Sequence, residues 1–517
     1  MLVNVRTSLM IVSITAILGF GGTVPQFSPL LTTNLCVHRE SISLRNSTVN
    51  EVPSGGLKND PGVEPSIDNF NRSIGLSKEA CAYLKHGAGS LKRGDAKSAI
   101  NDFNQALKLN PRYASAYDSR GNARYALGDK AGAISDYKMA IKLNPRFGSP
   151  HNNLGTLIDI GGNLEAAIES YSEAIILSPN KVFFDNRGNA RHQLGDNEGA
   201  LKDFNQAIKF DPTYARAYVG RGYVRQDLGD TKHAIEDYNE AIRLDPRDSW
   251  SYAGRASARS DLGFKKDAIQ DYNEAISLSP KYAWAYSGRG VERLRKGDNF
   301  GAIDDFNRAI QINRKDAYTY CRRGDAKIAI GDRRSAIDDF EKAIQIDPKY
   351  MWAYYSLGNA RLNKKAAIDD FSRGILVDPT FAPLYRERGY ERYALRDKKG
   401  AIDDFSQAIR LKPTYGPHYL TRGLIRSDID DIAGAMADFD KVIRIDSRDR
   451  WWAYCSRGDM RIKIGATCAA IGDYTQALHL NPGEAFRYLV DLFTRKIEKQ
   501  KSVCSLLMSL TPNTVHK

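Results

Sequence analysis

From residue 80 to residue 482 the chain repeats one arrangement of apolar and polar positions at intervals close to 34 residues. Residues 114–145, ASAYDSRGNARYALGDKAGAISDYKMAIKLNP, show the unit. Tyr117 and Gly121 stand four apart and so share a helix face, while Ala133, Tyr137 and Ala140 follow the i, i+4, i+7 stripe of a buried helix. Between the two patterns lies LGD. Gly128 suits the left-handed backbone that ends a helix, and Asp129 favours the start of the next. Pro145 stops the second helix. Each unit therefore predicts a helix, a tight turn, a second helix and a stop.

The unit can be laid down twelve times. Its small residue runs from Gly87 to Gly458, with Ala256 the one alanine, and its aromatic from Phe103 to Tyr474. Helices this short are marginal alone. Stacked, each covers its neighbour's apolar face and a continuous core results. The word AIDDF begins at Ala302, Ala336, Ala367 and Ala401, with spacings of 34, 31 and 34 residues. The short interval falls in GNARLNKKAAIDDF, which lacks LGD. Losing three residues removes nearly one helical turn. Either the first helix ends early with Asn363 as the turn residue, or the two helices are rearranged locally.

The pattern resembles the tetratricopeptide repeat family, a 34-residue helix–turn–helix with Gly, aromatic, Ala and Pro at fixed offsets. The resemblance covers about four-fifths of the chain. It implies an all-α fold, a right-handed superhelical α-solenoid whose first helices line a groove for protein or peptide partners. It names no partner. The family's carboxylate clamp for acidic chaperone tails requires Lys three before the glycine, where Asp118 and Asp185 stand here, although Asn122 and Asn189 match its Asn. That clamp is not expected.

Outside the array, one basic residue (Arg6) precedes an apolar run over residues 9–20 and small residues follow, the order of a secretory signal peptide over residues 1–22. An uncleaved membrane anchor is the alternative, although the run is shorter than the roughly 20 residues that span a bilayer. The localisation expected is export, periplasmic or secreted, or anchorage through that segment. Residues 23–79 are rich in Ser, Pro, Gly and Asn and read as a flexible linker. Residues 483–511 read as a capping helix with Phe486, Leu489, Val490, Phe493 and Ile497 on its apolar stripe.

Within the repeats, Trp250, Trp284, Trp352 and Trp452 each lie six residues before the small residue, and Tyr318 holds that place in the intervening unit. By the resemblance this place faces the groove, so the row is a candidate partner-binding site. The alternative is that each ring packs against the preceding repeat. Arginines recur four apart, as in Arg120/Arg124, Arg187/Arg191, Arg221/Arg225 and Arg289/Arg293, and an aspartate precedes eleven of the twelve second-helix aromatics, all but Tyr171. Two ladders of opposite charge suggest mutual pairing; an exposed basic stripe for nucleic acid is the other reading.

Composition changes this picture little. A net charge of +13 over 517 residues suggests acidic partners without specifying one. Six scattered cysteines and eight histidines show no metal-ligand spacing, so no metal and no cofactor are expected. The sequence outside the repeats is too short for a catalytic domain, and no phosphate-binding loop stands in a strand–loop–helix setting. The function expected is a non-enzymatic protein-interaction scaffold. A basic solenoid binding nucleic acid, or a regulatory subunit of a separate enzyme, is the alternative.

Overall fold

The structure, a computed structural model, describes residues 78–445 and 449–496. The expected signal segment, and the linker up to residue 77, lie outside the described residues. Among those residues all regular structure is helical, and it divides into two compact units on either side of Arg314 and Lys315.

The N-terminal unit holds seven hairpins: α1 (Lys78–Lys92) with α2 (Ala96–Leu109), α3 (Ala114–Ala126) with α4 (Lys130–Leu143), α5 (Gly148–Ile160) with α6 (Leu164–Leu177), α7 (Lys181–Leu194) with α8 (Asn197–Phe210), α9 (Ala215–Asp227) with α10 (Thr231–Leu244), α11 (Ser249–Asp261) with α12 (Lys265–Leu278), and α13 (Ala283–Arg295) with α14 (Asn299–Ile312). The C-terminal unit holds five: α15 (Ala317–Ala329) with α16 (Arg333–Ile346), α17 (Met351–Ala360) with α18 (Lys364–Val377), α19 (Ala382–Ala394) with α20 (Lys398–Leu411), α21 (Gly416–Ser427) with α22 (Ile432–Arg444), and α23 (Arg450–Lys463) with α24 (Thr467–Leu480). A last helix, α25 (Pro482–Lys496), follows. Within each unit every second helix packs on the first helix of the next hairpin, the arrangement of an α-solenoid.

The turns form as LGD predicts. Gly128 has φ +84°, and the Asp129 carboxylate accepts from the Gly132 backbone N–H at 2.8 Å, satisfying one orphan donor of α4. Two turns lack the glycine and place Arg396 and Asp430 at positive φ instead, a strained conformation for a residue with a Cβ. In the shortened repeat α17 ends at Ala360 and Asn363 caps α18 by accepting from the backbone of Lys365 and Ala366. The early end of the first helix is thus how the chain absorbs three missing residues. α17 still packs on α16, and α18 on α19.

Packing inside every hairpin but α11–α12, where Ala256 takes the place, is a ring against a glycine. A Cβ on Gly121 would stand 2.5 Å from Tyr137 Cε1, and one on Gly324 would stand 2.4 Å from Phe340 Cε1. Both rings are almost wholly buried. Three rings are pressed from the other side as well. Gly220, Gly254 and Gly288, each two residues before the small residue of its repeat, back onto Phe204, Tyr238 and Tyr272 of the preceding hairpin. Only a hydrogen leaves room for backbone to approach a ring this closely.

α25 covers α24, but its buried face is not the stripe expected. Ala485, Tyr488, Leu489 and Leu492 are buried, whereas Phe486 and Val490 are exposed. The helix is rotated because the Tyr488 hydroxyl donates to the buried Asp459 carboxylate at 2.7 Å, which fixes its phase. The side chains of Phe493 and Ile497, and residues 497–511 of the expected cap, lie outside the described residues.

Candidate functional site

The arginines and aspartates resolve into a repeated clip. In α11, Arg255 Nε and NH2 donate to the two oxygens of Asp271 on α12 at 2.9 and 2.8 Å, while NH1 donates to Asn239 on α10 of the preceding repeat at 2.8 Å. Arg259 adds a third donor to Asp271 at 2.6 Å. The same geometry recurs at Arg120–Asp136–Asn104, Arg187–Asp203–Ser172, Arg221–Asp237–Asn205, Arg289–Asp305–Asn273, Arg388–Asp404–Ser372 and Arg422–Asp438–Ser406. One planar guanidinium thus holds its own hairpin together and ties it to the one before. Mutual pairing is what the ladders do. Each aspartate faces two cations, yet those cations are engaged rather than offered as a stripe.

Repeat nine departs from this. Leu357 stands where the clip arginine would be, and Asp370 is met by Arg361 Nε at 2.9 Å and by Arg373 at 3.2 Å.

A second network runs along the first helices of the N-terminal unit, from each repeat to the next. Asp118 accepts from Ser149 at 2.9 Å and from Asn153 at 2.9 Å, both on α5. Asn153 also reaches Asn122, whose carbonyl accepts from the Tyr137 hydroxyl at 2.7 Å. Asn186 donates to Asn152 at 2.9 Å. Asp185 meets Arg216 Nε at 3.0 Å, and His192 Nε2 meets Asp227 at 2.7 Å. Gln226 donates to Asp261 at 2.6 Å and Ser260 to Glu292 at 2.6 Å. In the C-terminal unit Ser356 donates to Asp325 at 3.3 Å, and Tyr393 donates to Asp428. The first helices are therefore joined to one another by buried polar groups.

Burial sets the electrostatics of these groups. Desolvation pushes the Asp118 carboxyl up to about 6, against the opposing hydrogen bonds from Ser149 and Asn153. Asp159 is raised for the same reason, as is Asp185 despite the nearby Arg216.

Trp250, Trp284, Trp352 and Trp452 lie at the starts of first helices, in the seams between repeats, and Tyr318 lies at the start of α15. Trp284 is 7% exposed, with Tyr223, Tyr272 and Tyr282 around it, and Trp352 is 8% exposed, edge-on to Phe381 with ring centroids 4.8 Å apart. Trp250 packs 4.7 Å from Tyr282, the Tyr318 ring carries Arg322 over its face at 5.2 Å, and Trp452 lies beside Trp451 at 6.3 Å. These three keep part of their surface open. Among the described residues no group of His, Cys, Asp or Glu could hold a metal ion, and no helix is long and apolar enough to cross a membrane.

Stacked helix hairpins joined by glycine turns, with polar bonds between their first helices, define a helical repeat protein. Family models agree. The model described as TPR repeat matches residues 91–128, 188–229 and 324–365, and two described as tetratricopeptide repeat match residues 119–182 and 215–248. The chain is a tetratricopeptide repeat protein. In general terms that makes it a protein-interaction scaffold.

Solved structures similar to it include a tetratricopeptide repeat protein from Parabacteroides merdae, 21% identical, covering 55% of this chain and 99% of that one with a TM-score of 0.37. Yeast Tom70 is 15% identical, with 83% and 99% covered and a TM-score of 0.40. YrrB, a protein with an unusual peptide-binding site, is 17% identical, with 35% and 95% covered and a TM-score of 0.30. No curated protein matches the chain.

Proposed function

We propose that the protein is a non-enzymatic scaffold that holds a protein or peptide partner on the face formed by its first helices. The observation that carries this reading is the division of labour between the two networks. The arginine clips consume the charged groups of the repeat seams, while amides, carboxylates and hydroxyls bond the first helices of the N-terminal unit to one another from repeat to repeat. Such a lattice fixes the spacing of the first helices, so that the partly exposed polar side chains beside it, Asn186 and Asn189 among them, are held in place for an extended main chain whose N–H and C=O groups recur at fixed intervals. Half-open rings such as Trp250 supply apolar anchors beside it. The arginines a nucleic-acid surface would use are engaged in the clips, which disfavours that alternative.

The test is to capture the partner on the full chain from a native extract and then map amide exchange on the complex. Protection confined to first helices supports the reading. Protection confined to second helices overturns it. Export through residues 1–22 belongs to the same proposal, and sequencing the N-terminus of the mature protein checks it.

A further inference from the structure

Charges on the second helices of the N-terminal unit are sorted by sign over two consecutive hairpins. On α4 the exposed side chains Lys138 and Lys142 lie four apart on one face with Met139 beside them, and the one acid of that helix, Asp136, is buried in its clip. On α6 the exposed side chains Glu165, Glu169 and Glu173 follow the same spacing toward Ile176, and that helix has no basic residue. The next two second helices show the ordinary arrangement: Lys202 pairs with Glu198 on α8 at 2.7 Å, and Arg243 with Glu240 on α10 at 2.6 Å. Among the described residues Lys138, Lys142, Glu165, Glu169 and Glu173 make no ion pair.

An independent observation is apolar. Ile176 is 74% exposed, and Met139 is exposed beside the lysines. The place of Ile176 is filled by Lys108 on α2, Lys142 on α4, Lys209 on α8 and Arg243 on α10, so a cation gives way to a large apolar side chain on α6. Exposed apolar groups rimmed by charge have the composition of a contact surface.

We infer that this outer face of α4 and α6 binds the same face of a second copy of the chain. As second helices of consecutive hairpins, α4 and α6 run in the same direction. A two-fold axis lying along them, midway between, sets α4 of each copy over α6 of the other, parallel and level. Tyr137 and Tyr171 hold the same place in the two hairpins, so Lys138 stands level with Ser172 and Lys142 with Ile176. The second copy's Glu173 is then about 1.5 Å from the level of Lys138, and its Glu169 about 4.5 Å. Lys142 lays its stem along the second copy's Ile176 and carries its ammonium toward Glu173. An axis running across the helices instead would set α4 on α4 and α6 on α6, like charge on like. The contact goes beyond the scaffold reading and leaves the first helices free.

The experiment is sedimentation equilibrium of the full chain at moderate salt, up to about 100 μM, where a contact of this size associates. The native chain dimerises. Lys138→Glu with Lys142→Glu is monomeric, although it lowers the net positive charge that keeps two copies apart, and Glu169→Lys with Glu173→Lys is monomeric as well. Mixed in equal amounts, the two monomeric variants form a dimer, because each α4 again meets an α6 of opposite sign. Lys265→Glu with Lys266→Glu, exposed lysines on α12, leaves dimerisation within twofold.

A native chain that stays monomeric overturns the inference. So does a dimer that both double variants retain, and so does failure of the two variants to combine while circular dichroism shows both fully helical. All of these outcomes concern second helices, whereas the exchange map of the native partner reads first helices, so the scaffold reading stands or falls separately.

Discussion

The perturbation Arg255→Met tests whether the arginine clips couple one repeat to the next. Methionine keeps much of the side-chain volume while removing three charge-assisted or amide hydrogen bonds, two to Asp271 and one to Asn239. Asp271 is 4% exposed, but Arg259 still holds one of its oxygens, so no buried carboxylate is left without a cation. The full cost of orphaning a buried charge, about 3 to 5 kcal/mol, therefore does not apply. Hydrogen bonds to charged groups contribute about 1.5–3 kcal/mol each, and part of that is recovered when water reaches the site. The expected loss is about 2 kcal/mol.

Repeat arrays unfold in parts, so the assay is native-state amide exchange rather than a single global transition. Protection falls in α11 and α12 and also in α10, across the seam that Asn239 spans. A fall confined to α11 and α12, or no measurable change, refutes the idea that the guanidinium ties neighbouring hairpins together.

Further outcomes follow from individual sites. Gly254→Ala places a methyl 2.6 Å from Tyr238 Cε1 and costs about 1–3 kcal/mol by overpacking, despite alanine's higher helix propensity; thermal unfolding reads it, and a stabilised variant contradicts the double-sided packing. Because the folded Asp118 carboxyl titrates near 6 rather than 3.8, its contribution is fully present below about pH 4 and is lost as pH rises through 6. The loss reaches about 3 kcal/mol at most. Asp118→Asn therefore protects α3 and α5 from exchange at pH 7 relative to the native chain but not at pH 4, and the reverse order refutes this. Tyr488→Phe removes the bond to Asp459 and loosens α25 by about 1–3 kcal/mol, read as faster exchange in that helix.

The hairpins were legible because stacking imposes one environment on every unit, so the glycine, the aromatic and the turn recur in phase. The charge ladders were legible for the same reason: Arg255 and Asp271 lie sixteen apart in the chain, and so do Arg221 and Asp237. The bond from Arg255 to Asn239 carries no such mark, since an asparagine on the outer part of a helix resembles any solvated residue. Gly220, Gly254 and Gly288 did leave a signal, a second glycine two before the first small residue, but its meaning depends on a ring in the previous repeat. The rotation of α25 was hidden because Phe486 and Val490 make as good a stripe as Tyr488 and Leu492. One hydrogen bond to Asp459, a partner far off in sequence, selects between them. The tryptophans share a register, yet their neighbours differ, so Trp284 is enclosed where Trp250 stays half open.

The most direct measurement of partner engagement is site-specific photocrosslinking. A crosslinking residue placed at Asn189 on α7, and in a separate variant at Lys202 on α8, is carried by the full chain in its native extract. Partner binding along the first helices gives a discrete adduct from position 189 and none from position 202. An adduct from position 202 alone, or equal yields from both, contradicts it.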